Sequence, residues 1–356
     1  LSIQELTSEL EAPYQILDEN GRLVGNPPDI SADRLLEMYR WMYFIRAFSN
    51  KIIALQRQGK ATTWGSLTGH EATSVGVAAP LQPQDWIAGS YRDAGSYFVK
   101  GLPPSAIAYY QRGLSPAYPA GVNCLPVQIV IGTQVLHAVG IAMAAKIKGD
   151  PVVSVGLCGD GATSEGDFNE ALNFAGVYQA PIVFGVVNNG WAISLPRHRQ
   201  SAAKTLAARG PGFGIPSRVI DGNDLFAVYS ASQEAIDRAR NGGGPTLLEF
   251  ITYRLGAHTT ADDPTRYRVQ EELAEWEAKE PIKRMRLYLM GQNMLTEAED
   301  TQIAEEAEAR AQEVVDEAFN TPAHDPERIF DFTWENRSPR MEQQREEMRR
   351  NLQEDF

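Results

Sequence analysis

VVSVGLCGDGATSEGDFNEALNFAGVYQAPIVFGVVNNGWAIS, residues Val152–Ser194, carries two apolar runs with a helical stretch between them. The first run, Val152–Cys158, stops at Gly159-Asp160-Gly161; the second, Ile182–Val187, stops at Asn188-Asn189-Gly190. Between them Phe168, Ala171, Leu172, Ala175 and Val177 recur at helical spacing. Strand, helix and strand in that order form the unit of a parallel sheet, so both polar signals fall at C-terminal strand ends. In open α/β sheets ligands bind at that edge. Asp160 offers a carboxylate and Asn189 an amide oxygen, hard donors of the kind Mg2+ takes. That ion usually completes its shell with phosphate oxygens and water. Glycines on both sides of Asp160 let the backbone turn sharply and approach a phosphate. A helix opening near Ala162 would aim free N–H groups at the same anion. Taken singly, either tripeptide is an ordinary turn. Together, with 27 residues between Gly161 and Asn189, they allow one helix and one strand and a return to the same edge. A diphosphate bridged to the protein by Mg2+ fits that pair.

The rest of the chain sets bounds on this reading. With 356 residues, 43% hydrophobic and 22% charged, the sequence supports a sizeable core. A net charge of −13 argues against a general binder of the nucleic-acid backbone. The two cysteines, Cys124 and Cys158, lack metal-ligand spacing and read as buried thiols of a reducing cytoplasm. The opening residues show no signal-peptide pattern. Val127–Ala145 is nearly long enough to span a membrane, but Gln128, Gln134 and His137 interrupt it, so it reads as a buried core segment.

Three regions follow from the pattern. Residues 1–30 form an N-terminal arm, turning like a hairpin at Asn20-Gly21 and ending in a proline-containing linker. Residues 31–268 form an α/β domain, a parallel sheet flanked by helices. It opens with a long helix capped by Ser31 and stopped at Gly59. Residues 269–356 form a charged helical C-terminal region whose plain reading is a solvated cap packed on that domain. Within the domain, a short strand at Trp86–Ser90 delivers Tyr91-Arg92-Asp93, and arginine is the natural bidentate partner of phosphate. Residues 114–133 read as an irregular loop, and Ala207–Ile215 as a mobile glycine loop. Asp224 caps a helix running to Asn241. A strand over Thr246–Leu255 sets His258 just beyond its end, where an isolated structural histidine is the alternative. His70-Glu71 admits acid–base work, but such a pair more often caps a helix or bonds locally.

In order along the chain, Gly69-His70-Glu71-Ala72, Tyr91-Arg92-Asp93, Gly132-Thr133-Gln134, GDGATSEGD from Gly159, NNGWAIS from Asn188, IDGND from Ile220 and TYRLGAHTTADDPTRYR from Thr252 resemble one family. It is the alpha subunit of the thiamine-diphosphate-dependent decarboxylating component of 2-oxo acid dehydrogenase complexes, and the paired GDG and NN resemble its cofactor motif. The resemblance implies a thiamine-diphosphate-binding fold. It places Mg2+ on Asp160, Asn189 and the Trp191 carbonyl, and the diphosphate on Tyr91, Arg92, Gly161, Ala162, Arg254 and His258. The backbones of Ile129 and Ile131 would meet the aminopyrimidine ring, and His258 resembles the family's active-site histidine. Thr133 and Gln134 are similar to residues that hold K+ in some members.

The activity so implied is oxidative decarboxylation of a small 2-oxo acid and reductive acylation of a lipoyl group on an acyltransferase core. The cofactor would act as electron sink. The acid that serves the pyrimidine ring has no assignable glutamate in this chain, so the resemblance implies a beta subunit that supplies it, in a heterotetramer of two alpha and two beta chains. Nothing points to a nucleic-acid or membrane partner. Pyruvate is the favoured substrate; a branched-chain 2-oxo acid dehydrogenase or an acetoin dehydrogenase is the alternative. A catalytically silent scaffold is the non-enzyme reading, motivated by Val187, where relatives often carry a polar residue or arginine. Thr259 stands where animal relatives carry a phosphorylated serine, and no such regulation is expected here.

Overall fold

The computed structural model describes residues 9–114 and 118–354. The chain divides into two compact units, one reaching Ala318 and the other beginning at Phe319. Residues 1–8 of the predicted arm and residues 115–117 of the predicted loop lie outside the described residues.

A five-stranded sheet in the order β1-β2-β3-β7-β6 organises the first unit: β1 Trp86–Ala88, β2 Ser154–Gly159, β3 Ile182–Asn188, β7 Thr246–Ile251 and β6 Ser217–Asp221. Every pairing in it is parallel. Parallel strands need crossovers and are covered on both faces. That is why β2 and β3 are near-continuous apolar runs, β3 being buried along its whole length. One face carries α5 (Thr133–Lys148) and α6 (Gly166–Tyr178), whose Val135, Ala138, Ala142, Phe168, Leu172 and Ala175 share a core with Phe184 and Val186 of β3. Helix α2 (Glu71–Ala78) packs on α8 (Leu225–Arg240) so closely that a methyl on Gly76 would lie 2.6 Å from Val228. Helix α1 (Ala32–Arg57) starts where Ser31 Oγ accepts the Arg34 N–H and ends at Gln58, just before left-handed Gly59. The remaining helices are α3 (Ala94–Lys100), α4 (Pro104–Gln111), the short α7 (Arg197–Gln200), α9 (Gln270–Ala278), α10 (Pro281–Gly291), α11 (Glu297–Asn320) and α12 (Pro339–Glu354). A small antiparallel pair, β4 (Trp191–Ala192) and β5 (Leu195–Pro196), follows the asparagines.

The register sets the site. Gly159 pairs with Val187, and Asn188 with Ile251, so three strands end level. Asp160 thus leaves the sheet level with Asn188, and Asp160 and Asn189 both reach the cavity at this carboxyl edge. Leaving β7, the Arg254 N–H donates to the Asn189 carbonyl at 3.3 Å, which keeps the third chain beside the other two.

The arm turns as predicted, with an antiparallel bridge between Leu17 and Leu23 and left-handed Gly21 at its tip. Three expectations need correction. The helix after Asp160 begins at Gly166, not near Ala162; a 3-10 turn over Gly161–Ser164 intervenes. Thr163 donates both its N–H and its hydroxyl to the Asp160 carbonyl, and this local bonding tightens the turn. Val127–Ala145 is not buried throughout: α5 buries one face, while Ile129, Val130 and Ile131 are exposed, Ile129 and Ile131 at the cavity. Ala207–Ile215, read as a glycine loop, is instead a 3-10 helix over Ala207–Phe213 with Ala207, Gly210 and Ile215 buried, and a side chain at Gly210 would collide with Ser217.

No helix among the described residues is long and apolar enough to cross a membrane. Both cysteines are free and buried. In the second unit, Asp325 caps a 3-10 turn at Pro326–Phe330, and Glu327 in that turn pairs with Arg345 and Arg349 of α12.

Candidate active site

A cavity of about 500 Å³ opens at the carboxyl edge of the sheet, within the range of about 300–1,000 Å³ usual for small-molecule sites. Of the residues singled out by sequence, Tyr91, Arg92, Ile129, Ile131, Asp160, Gly161, Ala162, Asn189, Trp191 and His258 line it. Arg254 does not. It is fully buried behind His258, with Nη1 3.4 Å from the imidazole Nδ1. Thr133 and Gln134 lie outside the lining; the Thr133 hydroxyl donates to Asp167, while Gln134 Oε1 is buried without a partner.

Asp160 is held by its backbone. Its carbonyl accepts from Gln200 Nε2 at 2.8 Å, and Gln200 also reaches the Ser164 hydroxyl. Its side chain is almost entirely buried, and Oδ2 has no hydrogen-bond partner. Burial pushes the carboxyl up to about 6, against the lowering pull of nearby N–H groups and the Arg254 charge. The two asparagines divide their work. Asn188 Nδ2 donates to Glu249, whose other oxygen accepts the Ala207 N–H, so Asn188 is tied into the sheet. Asn189 faces the cavity, and its Oδ1 accepts the Trp191 N–H at 3.2 Å.

Arg92 is buried but forms no ion pair with its neighbour Asp93. Asp93 accepts from the Ser90 N–H and hydroxyl, while Arg92 donates to the carbonyls of Ser66 and His258. Gly65 has no side chain where one would press on the Arg92 guanidinium at 3.1 Å. The guanidiniums of Arg92 and Arg254 both approach His258 Nδ1, at 3.3 and 3.4 Å. Guanidiniums can only donate, so Nδ1 accepts and the imidazole proton sits on Nε2. Burial first, and the two arginine charges after it, lower His258 to about 4. The loop is pinned: the His258 N–H donates to Asp262, the Tyr267 hydroxyl donates to the same carboxylate, and that hydroxyl accepts from Arg254.

This arrangement fixes the sign of a pH effect. An imidazole lowered from 6.5 to about 4 in the folded chain takes up its proton more readily when unfolded. Its contribution to stability is therefore complete above pH 6.5 and lost as the pH falls toward 4. Melting curves of the ligand-free chain across that window should fall less steeply for His258→Gln than for the wild type; identical slopes would remove His258 as a titrating group.

Sequence reasoning missed part of the wall. Thr63, Trp64, Ile107, Tyr110 and Val127 form much of its apolar side. They come from the segment before α2, from α4 and from an irregular loop, and no local period marks them as neighbours. Gln200 likewise carried no signal.

The family model for the dehydrogenase E1 component matches residues 39–327. The chain is 43% identical over 329 residues to the 3-methyl-2-oxobutanoate dehydrogenase subunit alpha of Mycobacterium tuberculosis (strain CDC 1551 / Oshkosh), covering 91% of this chain and 89% of that protein. It is 40% identical over 337 residues to the pyruvate dehydrogenase E1 component subunit alpha of Staphylococcus aureus (strain Mu50), covering 93% and 91%.

Proposed function

From the chain's membership of the dehydrogenase E1 component family, as an alpha subunit of a 2-oxo acid dehydrogenase, we propose that this cavity holds thiamine diphosphate through Mg2+ and works only against a beta subunit. The observation that carries the proposal is the unpartnered Asp160 Oδ2, buried beside Asn189 at the ends of adjacent strands. A buried carboxylate oxygen without a donor is costly, and a cation meets that need. One carboxylate, the Asn189 amide oxygen and the Trp191 carbonyl make a hard oxygen set of low charge. A Mg2+ ion that also takes phosphate oxygens needs no more.

The residues fit the group. Arg92 and the His258 Nε2–H are assigned to phosphate oxygens, with the backbone N–H groups of Gly161 and Ala162 beside them and Tyr91 completing the wall. Arg254, out of the cavity, holds the His258 ring and carries positive charge behind it. Ile129 and Ile131 offer backbone to the aminopyrimidine. Bound there, the cofactor supplies the electron sink for decarboxylation. The chain's own part is to bind the diphosphate, exclude water with its apolar wall and hold the His258 proton toward the cavity. Gln134 Oε1, buried and unpartnered, is the oxygen that favours a K+ site beside Thr133.

The finer assignments complete the proposal: two alpha and two beta chains, an acid for the pyrimidine ring from the beta subunit, a lipoyl-bearing acyltransferase as acceptor, and the cytoplasm as compartment. Val187 is buried in β3 and also borders the cavity, so no arginine serves the phosphates from there. Pyruvate remains the first substrate. The relative named for 3-methyl-2-oxobutanoate, 43% identical, favours a second reading with branched 2-oxo acids. Co-expression with the beta chain and turnover with an artificial electron acceptor test both. We expect activity dependent on thiamine diphosphate, with pyruvate ahead of 2-oxobutyrate and 3-methyl-2-oxobutanoate. A reversed order installs the branched-chain reading, acetoin turnover alone installs the acetoin one, and bound cofactor without turnover of any of them favours the scaffold.

A further inference from the structure

The Gly69-His70-Glu71-Ala72 block contains two side chains with acid–base chemistry, and the fold uses only one of them. Glu71 is committed: it accepts from Arg46 Nε at 2.8 Å and from the Gly69 N–H at 2.9 Å. His70 precedes α2 but makes no side-chain cap bond. Its side chain is only 2% exposed, its Nε2 has no hydrogen-bond partner, and it lines the same cavity as Arg92 and His258.

The ring is also held in place. Gly69 adopts φ +98°, and a methyl there would lie 2.2 Å from the Tyr253 carbonyl, so the backbone just before His70 is pressed onto the segment after β7 that carries Arg254. The Gly69 carbonyl accepts the Thr252 hydroxyl at 2.7 Å. A preorganised, desolvated ring nitrogen without a partner is what a polar ligand group needs, and with the proton on Nε2 it is a donor. Burial and the charges of Arg92 and Arg254 keep this imidazole neutral. A neutral imidazole that feels both guanidinium charges offers an anion a hydrogen bond in a positive surrounding.

On the reading that the cavity holds a diphosphate, we propose that His70 is a further binding residue for it, its Nε2–H donating to a phosphate oxygen in the field of Arg92 and Arg254. A hydrogen bond to a charged oxygen is stronger than one between neutral groups, and its loss raises a dissociation constant about tenfold or more. The bond would read the phosphate and not the ring system.

The test uses the chain assembled with its beta subunit and follows tryptophan fluorescence, Trp64 and Trp191 both lining the cavity. Thiamine diphosphate and unphosphorylated thiamine are titrated separately in the presence of Mg2+. His70→Ala should weaken thiamine diphosphate by about tenfold or more and leave thiamine unchanged. His70→Gln, whose amide still donates, should recover most of the loss. Where the alanine variant fails to assemble, His70→Leu takes its place, filling the space without a donor. The proposal is overturned by a variant that binds the diphosphate as tightly as the wild type, or that loses both ligands equally. It is overturned equally by unchanged cofactor binding with a raised KM for the 2-oxo acid, which would assign His70 to the substrate carboxylate. A wild-type complex that binds no thiamine diphosphate overturns the functional reading itself, and does so before any variant is made.

Discussion

Asp160→Ala, assembled with the beta subunit, should lose Mg2+-dependent thiamine diphosphate binding on the order of 100-fold or more. Substitutions around a metal, one shell out from its ligands, already cost about 10–100-fold, and this one removes the carboxylate assigned to the proposed ion. Asp93, the other carboxylate in the wall, is occupied by Ser90. Asp160→Asn keeps an oxygen donor and gives up the charge, so it should fall between wild type and alanine. Equilibrium titration of the cofactor at fixed Mg2+ gives the numbers. Equal affinity in all three proteins would refute the metal assignment and the cofactor assignment with it. The ligand-free protein supplies an independent reading. Oδ2 of Asp160 is buried with no donor, so the carboxylate is a burden on the fold until something binds it. Asp160→Asn should therefore melt at the same temperature as the ligand-free wild type or above it, the exchange of stability for function expected at a binding site.

What the sequence disclosed about this site was set by period and by strand ends. Asp160 and Asn189 were legible because a parallel strand buried on both faces is an unbroken apolar run, and such a run has a visible stop. Gly159 paired with Val187 then puts Asp160 level with Asn188, with Asn189 one residue further along the same edge. Arg92 and His258 were legible in the same way, each just past an apolar run. Their environment was not. Arg254 looks identical in sequence whether it lines a cavity or lies behind one; its burial depends on the loop from Gly256 to Tyr267 folding back over it. The helix start after Asp160 was misplaced because Thr163 spends its hydroxyl on a backbone carbonyl, a choice that the apolar period does not record. The apolar stretch Ile129–Ile131 looked like core because hydrophobicity alone does not separate a buried segment from one facing a ligand or another chain.

Arg284 shows the same blindness in the region expected to be a solvated helical cap. Its guanidinium is 2% exposed and bonds Asp221 at 2.7 Å and the Leu17 carbonyl at 3.1 Å. Helix α10 thus buries a charge as well as Ile282, Met285 and Leu289 against the sheet unit. Charge density in a sequence marks solvent-facing residues on average, and the exceptions are those with a partner far away in the chain.

Asp224→Ala should be the most destabilising single change at a distance from the cavity. Asp224 is fully buried, and its two oxygens divide four backbone donors. Oδ1 accepts Phe226 and Ala227 at the start of α8, at 3.0 and 3.2 Å. Oδ2 accepts Ile16 and Leu17 of the arm, at 2.6 and 2.7 Å. Alanine removes a helix cap, which alone costs about 1 kcal/mol, and leaves the arm's two N–H groups buried without an acceptor, at about 1–3 kcal/mol each. The sum is of order 4 kcal/mol, and at roughly 2–4 °C per kcal/mol for a large domain the melting temperature should fall by about 10 °C. The local effect separates this account from a general loss of packing. The arm is fastened by Asp224, by Arg284 on the Leu17 carbonyl and by the Tyr14 N–H on Val219, so removal of the first should expose residues near Leu17 and Leu23 to protease ahead of the sheet. Asp224→Asn retains one acceptor oxygen but turns an amide donor toward two of the N–H groups, and should recover at most half of the loss. An alanine variant that melts within about 1 °C of wild type, with the arm no more open to cleavage, would mean that those four donors find acceptors elsewhere.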